Sequence, residues 1–491
     1  MTLKTACICL LAVGTVFAAI GAPGIQALEP RYAGTQQSGL HSGTSSAAAL
    51  PPGKGGGIGA AKDNSITIFF TGNELGAMQP CGCSGGQLGG LDRRYAILSA
   101  IPPKNRLIID TGSLVPESTA QNLIKFNAIV QAFGQLGYDM VNLTEQDILI
   151  ARQAGLLDGL GSVFNCITAV PCDDANLPAK FTKRFTLNGL TMDVTIGVAD
   201  TDEQISKVAK SFPAGDPCSS RPFNILIVNK PDAPAVLLRR SEAAEVDCVI
   251  VPPRSEGPAL INDANVRPLV VSTGRLGKYV GKIRVDIGEA ARPSLSFSAV
   301  AVTEDFQQYQ PLVELYKDYQ RMVKEANLLE EYPRFVLPDN LEYVGSRSCK
   351  LCHDYEYEKW MTSQQVFIPG LPRQAAADSR HADAFATLEK VGSHYDPECV
   401  VCHVVGMQYY SGFVSPAKTP DLKDVGCENC HGPGSEHIRS LGAVETAGPM
   451  STCTDCHTPE HSAEYLAHKE QYFEKIIHWR EPVSTVRVKE H

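Results

Sequence analysis

Four cysteine–histidine motifs in the last third of the chain limit its possible folds more than any other feature. They are Cys349-Lys-Leu-Cys352-His353, Cys399-Val-Val-Cys402-His403, Cys427-Glu-Asn-Cys430-His431 and Cys453-Thr-Asp-Cys456-His457. Cysteines at positions i and i+3 lie on one side of a helical turn, so both thiols can form thioethers with one haem, and the adjoining histidine can bind its iron. The motifs therefore predict four covalently bound haem c groups.

Zinc knuckles and disulfide bridges are the two alternatives for such a cysteine-rich stretch. A zinc site would join two C-x-x-C units and would not need a histidine after every second cysteine. The repeated histidine therefore favours haem. Residues 341–491 are also too few to build a large side-chain core around four macrocycles, so we expect the haems themselves to form the core, wrapped by short helices and irregular coil.

The first residues predict export, which haem attachment of this kind requires. A short basic start precedes an apolar run at residues 5–20, and small residues follow up to Ala27. This is the layout of a signal peptide, since the run is too short to span a bilayer comfortably; an uncleaved anchor is the alternative. We predict a signal peptide at residues 1–27, a periplasmic or extracellular location and no transmembrane segment after cleavage.

Composition limits the partners. The formal net charge is -10, and charged residues make up 20% of the 491 residues. An acidic chain of this kind is a poor ligand for nucleic acid or anionic membranes. It can dock on other redox proteins, which we expect to be its electron donor and acceptor.

Composition also divides the chain. Residues 28–63 are rich in Gly, Ser, Ala and Pro and predict a flexible tether. Residues 64–303 alternate short strand-like runs (66–70, 106–109, 192–198, 224–228, 248–251, 269–271 and 283–287) with helical patterns (91–100, 119–136 and 236–244). Such alternation predicts an α/β domain. Residues 304–340 predict a helical connector, and residues 341–491 a mainly α and irregular multihaem domain.

The C-terminal part resembles the tetrahaem cytochrome c-554 family. The resemblance rests on Trp360, HADAFATL from His381, PECVVCHVVG from Pro397, GCENCHGPGSEH from Gly426 and YFEKIIH ending at His478. In that family most irons take a second histidine. The resemblance implies His437 as the distal ligand of haem 1, His381 of haem 3 and His478 of haem 4. It leaves haem 2 without an assigned distal ligand. We expect solvated or supporting roles for His394, His461 and His468, and ligation of haem 2 by one of them is the alternative.

The middle part resembles, more distantly, the 5′-nucleotidase type of calcineurin-like metallophosphatases. The resemblance rests on ITIFFTGNELG from Ile66, GGLDRR from Gly89, LIIDTGSL from Leu107 and YDMVN from Tyr138. An active member clamps two metals with Asp, His and Asn side chains. Here Asn73, Leu75 and Ser113 stand where such ligands belong, and no histidine lies between His41 and His353. The prediction is a layered α/β sandwich that is a pseudo-enzyme, kept for docking or structure.

Six cysteines in the middle domain need a separate explanation. They are Cys81, Cys83, Cys166, Cys172, Cys218 and Cys248. Disulfides fit the exported location and the even count, with Cys166 and Cys172 as the favoured pair. A redox dithiol or small metal site at Cys81 and Cys83 is the alternative.

Three functions follow from these observations. An electron-transfer protein, which is not an enzyme, needs only closely packed haems and is the hypothesis that we favour. A haem-based reductase of a small nitrogen compound would need an open iron at haem 2. A scaffold would use the α/β domain to bind a partner, with the haems as its electrical contact.

Overall fold

Two six-stranded mixed sheets form the middle part of the computed structural model. Their strand orders are β12-β11-β1-β2-β3-β4 and β5-β6-β7-β8-β10-β9. The first sheet comprises β1 (Ser65–Thr71), β2 (Arg106–Asp110), β3 (Met140–Asn142), β4 (Asn165–Ile167), β11 (Tyr279–Asp286) and β12 (Ser294–Ala301). The second comprises β5 (Lys180–Leu187), β6 (Leu190–Ala199), β7 (Phe223–Val228), β8 (Cys248–Val251), β9 (Ala259–Leu260) and β10 (Leu269–Ser272).

The structure describes residues 64–80, 86–171, 177–214, 222–229, 244–263, 266–287, 293–361, 381–447, 453–459, 461–462, 465–476 and 478. The predicted signal peptide and tether lie outside these residues. So do Cys81, Cys83, Cys172 and Cys218, and nearly all of the helix predicted at 236–244.

Strand β1 explains why the two sheets pack together. All seven of its residues are buried, because one side of the strand faces the second sheet and the other faces helices. Ile66, Ile68 and Phe70 join the core between the sheets, whereas Phe69 packs with the helices. Parallel pairing aligns Ile68 with Leu107 of β2, which is the continuous apolar pattern typical of a parallel sheet covered on both faces.

Helices cover the outer faces of both sheets. They are α1 (Leu91–Ser99), α2 (Ala120–Leu136), α3 (Glu145–Gln153), α4 (Asp202–Lys210) and α5 (Gln310–Glu325). Apolar residues of α2 and α5 share one core cluster with the first sheet, and those of α4 share another with the second. This arrangement confirms the predicted layered α/β sandwich, and α5 confirms the predicted helix in the connector.

All seven predicted strands are present, within a few residues of the expected bounds. The sequence reading missed β3, β4, β5, β9, β12, α3 and α4. Strand β12 alternates half-buried and exposed residues at the edge of its sheet, so it lacks the apolar run that identified the central strands.

Short helices and irregular chain make up the described part of the C-terminal region, as predicted. They are α6 (Ser346–Cys349), α7 (Asp354–Met361), α8 (Ala384–Val391), α9 (Pro397–Val400), α10 (Cys427–His431), α11 (Ser435–Arg439), α12 (Cys453–Cys456) and α13 (Lys469–Ile476). Their side-chain core is small and centres on Phe385, Val404, Met407 and Phe413. No helix within the described ranges is long and apolar enough to cross a membrane.

Candidate functional site

Each C-x-x-C-H motif begins within or directly after a short helix. The backbone N–H of His353 donates to the carbonyl of Cys349 at 3.0 Å, and that of His457 to Cys453 at 2.9 Å. The corresponding bond from His403 ends on Val400 at 2.8 Å. These turns bring the two thiols of a motif to one side, with the imidazole next to them, which is the arrangement that haem attachment requires.

The thiols also bring the motifs together in two pairs. Contact with the thiol of Cys427 in the third motif, together with burial, raises the pKa of Cys349 in the first. Cys456 in the fourth motif makes the same contact with Cys402 in the second. Burial, and then the nearby Cys453 of the fourth motif, raises the pKa of Cys430 in the third motif to about 11. This proximity joins the two pairs, so the four motifs form one cluster, although more than 100 residues separate the first from the last.

Three pairs of imidazole rings lie next to each other in this cluster, with interplanar angles of 26°, 52° and 87°. The ring centroids of His353 and His437 are 5.9 Å apart, those of His381 and His457 6.3 Å, and those of His431 and His478 6.1 Å. A histidine nitrogen lies about 2 Å from a metal that it binds, so two rings on opposite sides of one metal have centroids roughly 6 Å apart. Each pair therefore leaves room for one iron between its rings.

Two of these pairings differ from those that the family resemblance implies. His437 faces His353 of the first motif, as expected. His381, however, faces His457 of the fourth motif rather than His431 of the third, and His478 faces His431 rather than His457. The expected partners of His381 and His478 are thus exchanged. His381 lies just before α8, whose first residue, Ala384, accepts a hydrogen bond from His403 of the second motif. The second motif contacts the fourth through Cys402 and Cys456. His381 therefore lies close to the fourth motif.

Hydrogen bonds at Nδ1 orient the rings of several of these histidines. The Nδ1 of His437 donates to the carbonyl of Val444 at 2.8 Å, and that of His478 to Ile476 at 2.7 Å. The Nδ1 of His403 donates to Ala384 at 2.7 Å. A carbonyl acceptor fixes the tautomer with Nε2 unprotonated, and metal-binding histidines are typically held in this way.

Burial favours the neutral form of four of the clustered imidazoles. It lowers the pKa of His381 to about 4, with further lowering by the neighbouring His457 and His403. Burial likewise lowers the pKa of His403, His431 and His457. Only the neutral imidazole binds a metal, so these environments suit iron ligation. The thiol positions, ring spacing and tautomers all fit haem.

Two of the other histidines, His394 and His461, have different surroundings. The ring of His394 packs against Phe385 and Tyr395, with centroids 6.2 and 4.1 Å away. The Nδ1 of His461 lies 2.8 Å from the hydroxyl of Thr458. Hydrogen-bonding and packing contacts of this kind agree with the supporting roles that we expected for His394 and His461.

The metallophosphatase-like loops keep an unusual backbone. Asn73, Leu75 and Ser113 have φ angles of 56°, 49° and 61°, a region that residues other than glycine and asparagine rarely adopt. Backbone bonds join the two loops: Asn73 N–H donates to Gly112 at 2.8 Å and Leu75 N–H to Ser113 at 3.1 Å. The side-chain amide of Asn73 donates to Thr273 at 3.1 Å, so it is engaged within the protein.

A buried ion pair lies beneath these loops. Arg94 bonds the two carboxylate oxygens of Glu74 at 2.6 and 2.9 Å, and both side chains are fully buried. Arg94 also donates to the hydroxyl of Tyr138 at 3.0 Å, and this hydroxyl lies 2.8 Å from Thr71. Thr71 donates to Asp110 at 2.6 Å. Burial disfavours the guanidinium charge, but Glu74 and Tyr138 outweigh that effect and raise the pKa of Arg94.

The expected disulfide at Cys166 is absent. Cys166 and Cys248 are both free, buried thiols. Cys166 lies on β4, its side chain belongs to the helix-side apolar core, and burial raises its pKa to about 12. The prediction overlooked that a buried cysteine packs well as a small apolar residue.

Comparisons with known proteins match both parts of the chain. The family described as "Cytochrome c554 and c-prime" matches residues 348–432. Cytochrome c-554 of Nitrosomonas europaea is 30% identical over 119 residues, which are 23% of this chain. The match spans about half of that relative, 49% of its length.

Solved structures similar to the chain include nucleotidases. The 5′-nucleotidase precursor of Thermus thermophilus has a TM-score of 0.41 and 14% identity, covering 55% of this chain and 61% of its own. NAD nucleotidase of Haemophilus influenzae has a TM-score of 0.39 and 12% identity, covering 61% and 69%. The chain is thus similar to cytochrome c-554 in its C-terminal part and to 5′-nucleotidases in its middle part, as its sequence predicted.

Proposed function

We propose that this chain is an exported electron-transfer protein with four haem c groups. The observation that carries the proposal is the set of three imidazole pairs, 5.9 to 6.3 Å apart, each containing the histidine of one C-x-x-C-H motif. Haem iron supplies one-electron redox chemistry, and haems attached to motifs whose thiols touch would be close neighbours. Closely packed redox centres of this kind suit electron transfer to and from other redox proteins.

The residues divide into three roles. The eight motif cysteines would attach the haems, and His353, His403, His431 and His457 would be the proximal ligands. His437, His478 and His381 would be distal ligands at the first, third and fourth motifs, as the ring pairs indicate. Residues 1–27 would direct export, and the haem domain would extend over residues 341–491.

The middle domain would be a pseudo-enzyme. Asn73, Leu75 and Ser113 lack the carboxylate and imidazole groups that a two-metal site needs. The charged groups beneath the loops are Glu74, Arg94 and Asp110, and the first two bind each other. A domain of this kind suits docking or structural support better than phosphate-ester hydrolysis.

Mass spectrometry of the exported protein tests the central claim. We expect four haem additions on each chain and loss of residues 1–27. Reductive titration should then reduce all four haems reversibly, with the α and β absorption bands of ferrous haem c appearing. Zinc, disulfides or free thiols at the motifs would overturn the proposal. A chain that binds its haems but accepts no electrons from any reductant would overturn the role in electron transfer.

A further inference from the structure

Two helices of the α/β part hold the segment directly before the second motif. Gln121, in the first turn of α2, donates from its side-chain amide to Asp396 at 2.7 Å. Tyr319, on α5, donates from its hydroxyl to the other carboxylate oxygen of Asp396 at 2.8 Å. Gln121 also donates to the Tyr319 hydroxyl at 2.9 Å. These three side chains form a closed polar triangle at the boundary between the two parts.

The triangle is buried and charged. Tyr319 is 1% exposed and Asp396 5%. Burial, together with the negative charge of Asp396, raises the pKa of Tyr319 well above its usual value. The phenol therefore remains a hydrogen-bond donor. A buried carboxylate is stable only when its oxygens accept hydrogen bonds, so Asp396 depends on Gln121 and Tyr319.

Asp396 in turn fixes the start of the second motif. It is the N-cap of α9, and its carboxylate accepts from the backbone N–H of Glu398 at 3.0 Å. Its carbonyl accepts from the N–H groups of Cys399 at 3.0 Å and Val400 at 2.9 Å. Cys399, the first cysteine of the second motif, therefore binds directly to Asp396, which the α/β part holds in place.

A second contact carries charge. Lys125 of α2 forms an ion pair with Glu398, the residue before Cys399. The Lys125 side chain is 8% exposed and that of Glu398 55%. Lys125 Nζ also lies against Gly76 in the loop after β1: a β-carbon there would be 3.3 Å away. One ammonium group thus joins the metallophosphatase-like loop to the second motif.

We propose that the α/β domain positions the second haem centre and sets the charge next to it. Gln121 and Tyr319 position its helix through Asp396, and Lys125 compensates the charge of Glu398 next to Cys399. All five residues are positioning residues. The inference deepens the proposed function and rests on it, because it concerns a haem held by Cys399, Cys402 and His403.

The sign of the effect follows from Coulomb's law. Removing Lys125 leaves the Glu398 charge uncompensated, which favours the ferric state and lowers the reduction potential. Removing the Glu398 charge leaves the Lys125 charge uncompensated, which favours the ferrous state and raises the reduction potential. A fivefold change in the ferrous-to-ferric ratio corresponds to about 40 mV for one electron.

Redox titration of the full-length haem protein tests the proposal. The second centre is the component missing from a Cys399→Ser, Cys402→Ser variant. We expect Lys125→Met to lower its ferrous-to-ferric ratio about fivefold and Glu398→Gln to raise it similarly. The double variant should return near the wild type, and Lys125→Arg, which keeps the charge, should not shift it. Because arginine keeps the positive charge but changes the shape of the side chain, Lys125→Arg distinguishes an effect of charge from an effect of packing.

A matched ion pair serves as the control. Lys278 and Glu256 lie 2.6 Å apart in the α/β part, with side chains 12% and 57% exposed, close to the values for Lys125 and Glu398. Lys278→Met and Glu256→Gln should leave the second centre unchanged. Equal shifts in the ferrous-to-ferric ratio of the second centre from both ion pairs would overturn the role proposed for the α/β domain. Shifts of the same sign from Lys125→Met and Glu398→Gln would also overturn it. A chain without haem at the second motif would instead overturn the proposed function.

Discussion

The exchanged pairing of His381 and His478 makes the sharpest prediction about the haem centres. The rings of His431 and His478 have centroids 6.1 Å apart, which matches the roughly 6 Å expected for two imidazoles on one metal. His478→Ala should therefore remove one axial ligand from the third iron. A ferric haem that loses a strong axial ligand changes from low to high spin, so one haem in four should change its spectrum.

The spin change can be assigned by combining variants. Electron paramagnetic resonance of oxidised His478→Ala should show one new high-spin haem per chain. Adding Cys427→Ser and Cys430→Ser removes the third haem and should remove that new signal. Adding Cys453→Ser and Cys456→Ser removes the fourth haem and should leave it.

The reverse result would refute the pairing. If the new signal disappears with the fourth haem and persists without the third, His478 serves the fourth iron, as the family resemblance first implied. His381→Ala provides the complementary test, since its ring lies 6.3 Å from His457. His394→Ala is the control: its ring packs against Phe385, and its loss should leave the spin states alone.

Four further predictions concern the second haem and the α/β part. Three distal histidines are proposed for four irons, so the oxidised wild type should show one high-spin haem that binds nitric oxide when reduced; a purely low-spin spectrum would remove the reductase hypothesis. Arg94→Met leaves Glu74 buried without its partner and should lower the free energy of unfolding by about 3–5 kcal/mol in urea titrations; an unchanged midpoint would contradict this. Burial, and then the charge of Glu74, raises the pKa of Asp110 to about 7. The folded state thus keeps a proton that the unfolded chain has lost, so stability should fall as pH rises from about 4 to 7, and Asp110→Asn should flatten that slope in denaturation series. Finally, the full-length protein should not hydrolyse nucleotides with magnesium, manganese, zinc or cobalt added; metal-dependent turnover abolished by Asp110→Asn would show that the site is active.

The sequence predicted well those elements that are specified by a few adjacent residues. The apolar run of β1 and the i, i+3 spacing of the motif cysteines each depend on a few adjacent residues. The caps of two missed helices were equally local. Thr144 and Asp147 form a capping box at the start of α3, and Thr201 and Gln204 form one at the start of α4. Both patterns were visible in the sequence and could have predicted these helices.

Contacts between distant segments could not be predicted in the same way. His381 and His457 are 76 residues apart, and nothing near either residue specifies which iron they share. The family resemblance implied the same three histidines, but the structure places the rings of His381 and His478 next to other motif histidines than it implied. Gln121 and Asp396 are 275 residues apart. An Asp-Pro pair before a helix does predict an N-cap, yet the donors that hold Asp396 follow only from the tertiary structure.

The loop after β1 connects the α/β part to the second motif through Lys125. The loop after β1 keeps left-handed backbone at Asn73, Leu75 and Gly76, which costs of order 1–3 kcal/mol at each non-glycine position. Bonds to the neighbouring loop offset part of this cost, and Gly76 gives Lys125 the space to run past the loop. Lys125 then pairs with Glu398 beside Cys399. The left-handed loop therefore supports the lysine that reaches the second motif, so the loop contributes to the contact between the α/β part and the segment around Cys399.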